Sequence, residues 1–371
     1  MTERRYKNVK KIISFVVSIA VLMSLSVVAF ASGKSDNIHE IFSEEQLSCI
    51  QNLLSSWMVT EKETPLISGD QLQLGGQIPV YEYTDFNISE FSQVSYYPVY
   101  LNNVVIGVLG VHGDKASPTY SFSQDWASNI NKYLNNGQED FCIIVTNDSL
   151  YFKTDEDVQI IEEYSFASSS IEHLENGYSD KKMGQDMNPT DYYSAKERYS
   201  LDIPLQSRGA QVIEVNVGTY KQSYGECWAV SVMLTGKFLT KSNKYTPLQI
   251  ADKMGIGYNE GAYDSDVVNA LSKCYDITGS KKGKLTPNQV KTYMNNQKPG
   301  IINWQSTNFA HYTVLCGFSS DSLAGEYGIR VSDSNSGTYK WLCKKGSPSS
   351  ALNFQYTYGS IVYNWYSTIT T

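Results

Sequence analysis

Apolar residues run almost unbroken over 12–30, with serines between them, behind a basic start that holds Arg4, Arg5, Lys7, Lys10 and Lys11. Ala29-Phe30-Ala31 then gives the small-x-small spacing of a cleavage site. Residues 1–31 therefore read as a secretory signal peptide, leaving Ser32 as the new terminus. An uncleaved anchor is the alternative, because the run approaches spanning length. Past this segment the pattern changes to alternating helix and strand signals. Ser43 with Gln46 three residues on predicts a capping box, and Leu47, Ile50, Leu54 and Trp57 follow at helical spacing. Leu72 and Leu74 before Gly75-Gly76, then Val80, Tyr81 and Tyr83, read as strands. Apolar runs at 97–101 and 104–109 flank Asn102-Asn103, a strong hairpin signal. Trp126, Ile130, Tyr133 and Leu134 predict a second helix, and 141–145 with 150–153 a second hairpin. The first half is thus expected to be an α+β domain with an antiparallel sheet and no catalytic cluster. His112 and His173 read as ordinary surface or turn histidines.

The second half reverses the order. Residues 211–217 alternate as a strand. Helices are predicted over 227–239, from Thr246-Pro247 to Met254, over 264–275, and from Thr286-Pro287 onward, each Thr-Pro pair being a start signal. Strands follow at 301–304, 312–318, 327–331 and 338–342. Between the halves, 165–200 is polar and reads as a linker or exposed loop. Lys196, Arg198 and Arg208 are candidate processing positions within or beside it. The expected division is 1–31 signal, 32–200 first domain, and 201–371 second domain.

Composition narrows the class. The 371 residues carry 38 Asp and Glu against 30 Lys and Arg, which gives no electrostatic case for a nucleic-acid partner. Twenty-eight tyrosines, with many Ser, Asn and Thr, fit a secreted surface. Once the signal is cleaved no stable membrane span is expected. Cys49, Cys142, Cys227, Cys274, Cys316 and Cys343 show no compact disulfide spacing, so most read as small buried hydrophobes.

One of them has the setting of a nucleophile. In Gln222-Ser223-Tyr224-Gly225-Glu226-Cys227-Trp228-Ala229, a glycine-containing loop turns into an apolar helix at Cys227. Unpaired N–H groups and the positive dipole end of a first turn favour thiolate. Gln222 is placed to donate to an oxyanion. His311 is the only histidine after Cys227, and it begins an apolar strand. Asp333 or Asn335, in the turn after the next strand, would orient its ring. Trp228 reads as core, and Asp264-Ser265-Asp266 as a helix cap rather than a calcium site.

On these residues the chain from about 201 onward resembles the small bacterial papain-like cysteine peptidases, the staphopain and streptopain group and the domains that trim bacteriocin leaders. Cys227-Trp228-Ala229, Ala310-His311-Tyr312 and the Asp333-x-Asn335-x-Gly337 turn carry the likeness. It departs from plant papain in three ways. Tyr224 stands where papain has a disulfide cysteine, Gln222 lies one residue closer to the nucleophile, and the Cys-to-His spacing is shorter. The resemblance implies a two-lobed fold, helical lobe first and antiparallel sheet after, with the cleft between. It also implies a secreted endopeptidase acting on proteins or peptides without metal or organic cofactor. The first domain would be its inhibitory propeptide. A cell-wall peptide hydrolase, a peptidyl transferase and an inactive binding module of the same fold are the alternatives.

Overall fold

Ser43 starts its helix by a reciprocal pair of bonds. Its N–H donates to Gln46 Oε1 at 2.9 Å and its Oγ accepts from the Gln46 N–H at 3.3 Å, opening the helix Glu44–Thr60. The structure is a computed structural model describing residues 38–371 except 61–70, 85–86, 115, 138–139, 147–148, 155–157, 164–188, 190, 192, 195–196, 202–209 and 359–360. The expected signal peptide, most of the polar linker, His173, Lys196 and Arg208 lie outside the described residues.

The fold is α+β. Asn102 and Asn103 both take left-handed backbone (φ 50° and 70°), as a two-residue hairpin turn demands, and join Val94–Leu101 to Val104–His112. The first half is not wholly antiparallel, however. Val80–Thr84 lies parallel to Asp140–Val145 in a smaller sheet. The chain between them, with its hairpin and the helix Ala127–Asn135, is long enough for the crossover that a parallel pair needs. Nor is His112 a surface residue. It is buried on its strand, bonded through Nε2 to Ser121 Oγ at 2.6 Å, and burial, then the charge of Lys340, pull its pKa down to about 3. Arg198, a candidate processing position, sits in the strand Arg198–Ser200 paired with Leu72–Gly75. Its guanidinium bonds Asn103 Oδ1 and stacks on Tyr100, partners that the local polarity of 165–200 does not reveal.

The larger sheet runs through both halves of the sequence. Thr119–Ser123 pairs with Thr338–Lys345, placing Phe122 opposite Trp341 and Tyr120 opposite Cys343. From there the order continues through Glu326–Asp333, Ala310–Asp321, Gly300–Gln305 and Ile361–Thr370. The helix Glu44–Thr60 covers the junction. Leu53, Leu54 and Trp57 pack with Tyr120, Phe122, Trp341 and Cys343, and the Trp341 indole donates to Thr60 Oγ1. All six cysteines are buried free thiols.

In the second half, Thr246 and Thr286 cap their helices as their sequences predict, each followed by proline. The expected strand over 211–217 is shorter, Ala210–Glu214, and Val215 and Val217 continue it as buried irregular chain. Two strands past residue 342 had no predicted counterpart, Gln355–Tyr358 and Ile361–Thr370. Their tyrosines and threonines alternate weakly on a hydrophobic scale. Among the described residues no helix is long and apolar enough to cross a membrane.

The helix Cys227–Thr240 presents Gly236 to the ring of Tyr275, where a Cβ would come within 2.3 Å of ring carbon. Tyr275 is buried and cannot swing aside. Gly236→Ala is expected to destabilise the protein by about 1–3 kcal/mol. Urea unfolding with an unchanged midpoint would show that this helix packing is looser than described.

Candidate active site

Cys227 is the first residue of its helix, and the loop before it is held by a carboxylate. Glu226 is buried, and its two oxygens accept the N–H groups of Ser223 (3.0 Å) and Tyr224 (2.7 Å). That clamp folds the loop back so that Gln222 and Cys227 border the same cleft. The loop is tied across to the turn after Asp333. Gln222 N–H donates to the Ser334 carbonyl at 2.9 Å, and Ser334 Oγ donates to Gln222 Oε1 at 2.6 Å. With Oε1 engaged there, the amide's donor side is Nε2. Trp228 is fully buried and donates to the Glu260 carbonyl, a core role.

His311 lies near the start of its strand, 3% exposed. Its Nε2 donates to Asp333 Oδ1 at 2.8 Å, which leaves Nδ1 for Cys227, a residue that borders the same cleft. Tyr356 and Tyr363 flank the imidazole. Asp333, 0% exposed, ends the neighbouring strand. It also accepts from Lys340 Nζ (2.9 Å), the Tyr356 hydroxyl (2.5 Å) and the Asn335 N–H (3.0 Å). Burial pushes the carboxyl up, but Lys340, His311 and Tyr356 together hold it well below the usual carboxylate range. Burial likewise pulls His311 down, and Asp333, then Cys227, outweigh it and raise the imidazole to about 9. Of the two candidates, Asp333 meets the imidazole. Asn335 borders the cleft and meets Asp333 through its backbone.

Sequence reasoning missed Lys340, Tyr356 and Glu226. Lys340 left a signal. Asp333 pairs with Thr338, so two residues further along the partner strand Lys340 returns to the same face. Tyr356 arrives from a strand with no local cue.

The cleft has a volume of about 1010 Å³, and its lining includes Gln222, Cys227, His311 and Asn335 as well as Tyr263, Asp264, Asn303 and Phe309. Within Asp264-Ser265-Asp266 the expected cap is supplied by Asp266, and Asp264 has other partners. Tyr263 occupies the N-cap position and Asp266 takes its N–H, while Asp264 accepts from Asn303, Tyr312 and Ser367 and pairs with Lys281 at 2.7 Å. Only tertiary contacts create that second role. Among the described residues no cluster of three or more His, Cys, Asp or Glu is placed to hold a metal ion.

A family model described as papain-like cysteine protease AvrRpt2 matches residues 208–340, a span containing Cys227, His311 and Asp333. Over that span the chain is similar to a cysteine-type peptidase. A crystal structure of UfSP from C. elegans is similar at 13% identity and a TM-score of 0.26, covering 40% of this chain and 36% of that one. No curated protein matches the chain.

The raised imidazole links stability to pH. A histidine lifted from 6.5 to about 9 on folding contributes stability that is full below 6.5 and lost as pH rises through about 9. The melting temperature of the protein should decline across that window, and His311→Gln should flatten the decline. Identical slopes for both proteins in a calorimetric pH series would rule out a buried charged imidazole.

Proposed function

We propose that the chain is a secreted cysteine endopeptidase with Cys227 as nucleophile, His311 as base and acid, Asp333 as the group that orients the imidazole, and Gln222 as oxyanion donor. The single observation that carries this reading is the meeting of Cys227 and His311 at the wall of one open cleft, with His311 Nε2 bonded to the buried Asp333. Cys227 reacts as the thiolate, its proton passing to His311. The thiolate attacks the scissile carbonyl. Negative charge developing on its oxygen meets the Cys227 N–H and Gln222 Nε2. His311 then protonates the departing amine from Nδ1, and water, deprotonated by the same nitrogen, hydrolyses the thioester. Asp333 holds Nε2–H throughout, which keeps Nδ1 facing sulfur.

Secretion rests on the pattern of 1–31. The inhibitory-propeptide reading of 32–200 finds no contact to support it in the cleft, because every described lining residue falls between 222 and 366.

Casein hydrolysis tests the proposal. Cys227→Ala should abolish it, and Gln222→Ala should lower kcat by about 10²–10³-fold. The alkaline limb of kcat/KM should fall near pH 9, where the imidazolium loses its proton. Hydrolysis that survives Cys227→Ala would sink the assignment.

A further inference from the structure

The charge behind the imidazole does not end within the second half of the chain. Lys340 Nζ lies 2.9 Å from Asp333 Oδ2 and 3.3 Å from Asp125 Oδ2, so one buried ammonium is shared by two carboxylates. Asp125 belongs to the first half. It follows the strand Thr119–Ser123 and is set in place by that strand's pairing with Thr338–Lys345. Its N–H donates to Ser123 Oγ at 3.2 Å, and its Oδ1 accepts from Thr338 Oγ1 at 2.5 Å. Thr338 and Lys340 are on one face of their strand, so Asp125 grips both. Lysine is a point charge on a flexible four-carbon stem, and its position depends on what surrounds it.

We propose that the N-terminal half is a permanent part of the catalytic unit and supplies Asp125 as a positioning residue, which fixes Lys340 and through it Asp333. This rests on the Cys227–His311–Asp333 reading above. The packing agrees with it. Withdrawing the first half would strip the Thr338–Lys345 strand of its neighbour and expose Trp341 and Cys343, which Phe122, Trp57 and Leu53 now cover. Asp125 also balances charge. The groups facing His311 are Cys227 from its helix, Asp333 from the neighbouring strand, and Tyr356 and Tyr363 from the C-terminal hairpin, with Lys340 behind Asp333. Without the Asp125 charge, the Lys340 cation is less compensated and the imidazolium gives up its proton more readily.

Asp125→Asn keeps the side chain's size and an oxygen for Thr338 while removing the charge. NMR titration of His311 in the full-length chain should show its pKa lowered by about half a unit or more. Asp125→Glu should hold it near the unsubstituted value, and the alkaline limb of hydrolysis should move in parallel. A His311 titration unchanged in Asp125→Asn overturns the positioning role. Because the titration needs no substrate, a shift without any hydrolysis would fault the peptidase assignment and leave only the electrostatic link from Asp125 through Lys340 to His311 standing. Limited proteolysis within 164–188 should yield two fragments that co-elute on gel filtration and remain active. Separation with an active C-terminal fragment would overturn the permanence of the first half.

Discussion

A carboxylate removed entirely from water must be met by donors and positive charge on every side, since desolvating an isolated ion costs on the order of several kcal/mol. Asp333 is that group here. Its oxygens take the His311 imidazole, the Lys340 ammonium, the Tyr356 hydroxyl and the Asn335 N–H. Each donor comes from a different stretch of chain. The strand of His311, the strand of Lys340, the C-terminal hairpin and the turn after Asp333 itself must all arrive for the charge to be stable. The active site and the sheet are thus held by the same interaction.

The compensation is not symmetrical in its consequences. Lys340 keeps the carboxylate ionised, and the ionised carboxylate keeps the imidazole protonated against a burial that opposes both. A neutral Asp333 would lose its hold on Nε2–H, and the ring would be free to turn its other nitrogen away from sulfur. Tyr356 serves twice, donating to Asp333 and lying against the imidazole face, so one side chain both stabilises the charge and limits ring rotation.

The Cys227 side of the cleft follows a different logic. Glu226 spends its two oxygens on the N–H groups of Ser223 and Tyr224, so the loop before the helix is fixed by backbone bonds rather than by packing. Ser334 then links that loop to the turn after Asp333. Loop and turn are thus tied by direct hydrogen bonds, which suits chemistry whose geometry tolerates little displacement.

Local signals determined a good deal. Asn102-Asn103 sets its hairpin because both residues accept left-handed backbone. Ser43, Thr246 and Thr286 start helices because each can answer an unpaired N–H a few residues on. The loop-to-helix turn at Cys227, and His311 as the one histidine after it, were legible for the same reason, being features of short stretches. The pairing of Thr119–Ser123 with Thr338–Lys345, which sets Phe122 opposite Trp341, was not legible, and with it went Asp125 and the true place of His112. Which strand edges meet depends on burying apolar faces that are separated by most of the chain, and no short-range pattern carries that information. Asp264 makes the same point at smaller scale. Its position at a helix start reads as a cap, and only the arrival of Asn303, Tyr312, Ser367 and Lys281 gives its charge a different set of partners. The sequence by itself determined which residues could do chemistry; the tertiary structure decided which charges stand behind them, because a buried charge is defined by neighbours the chain brings from far away.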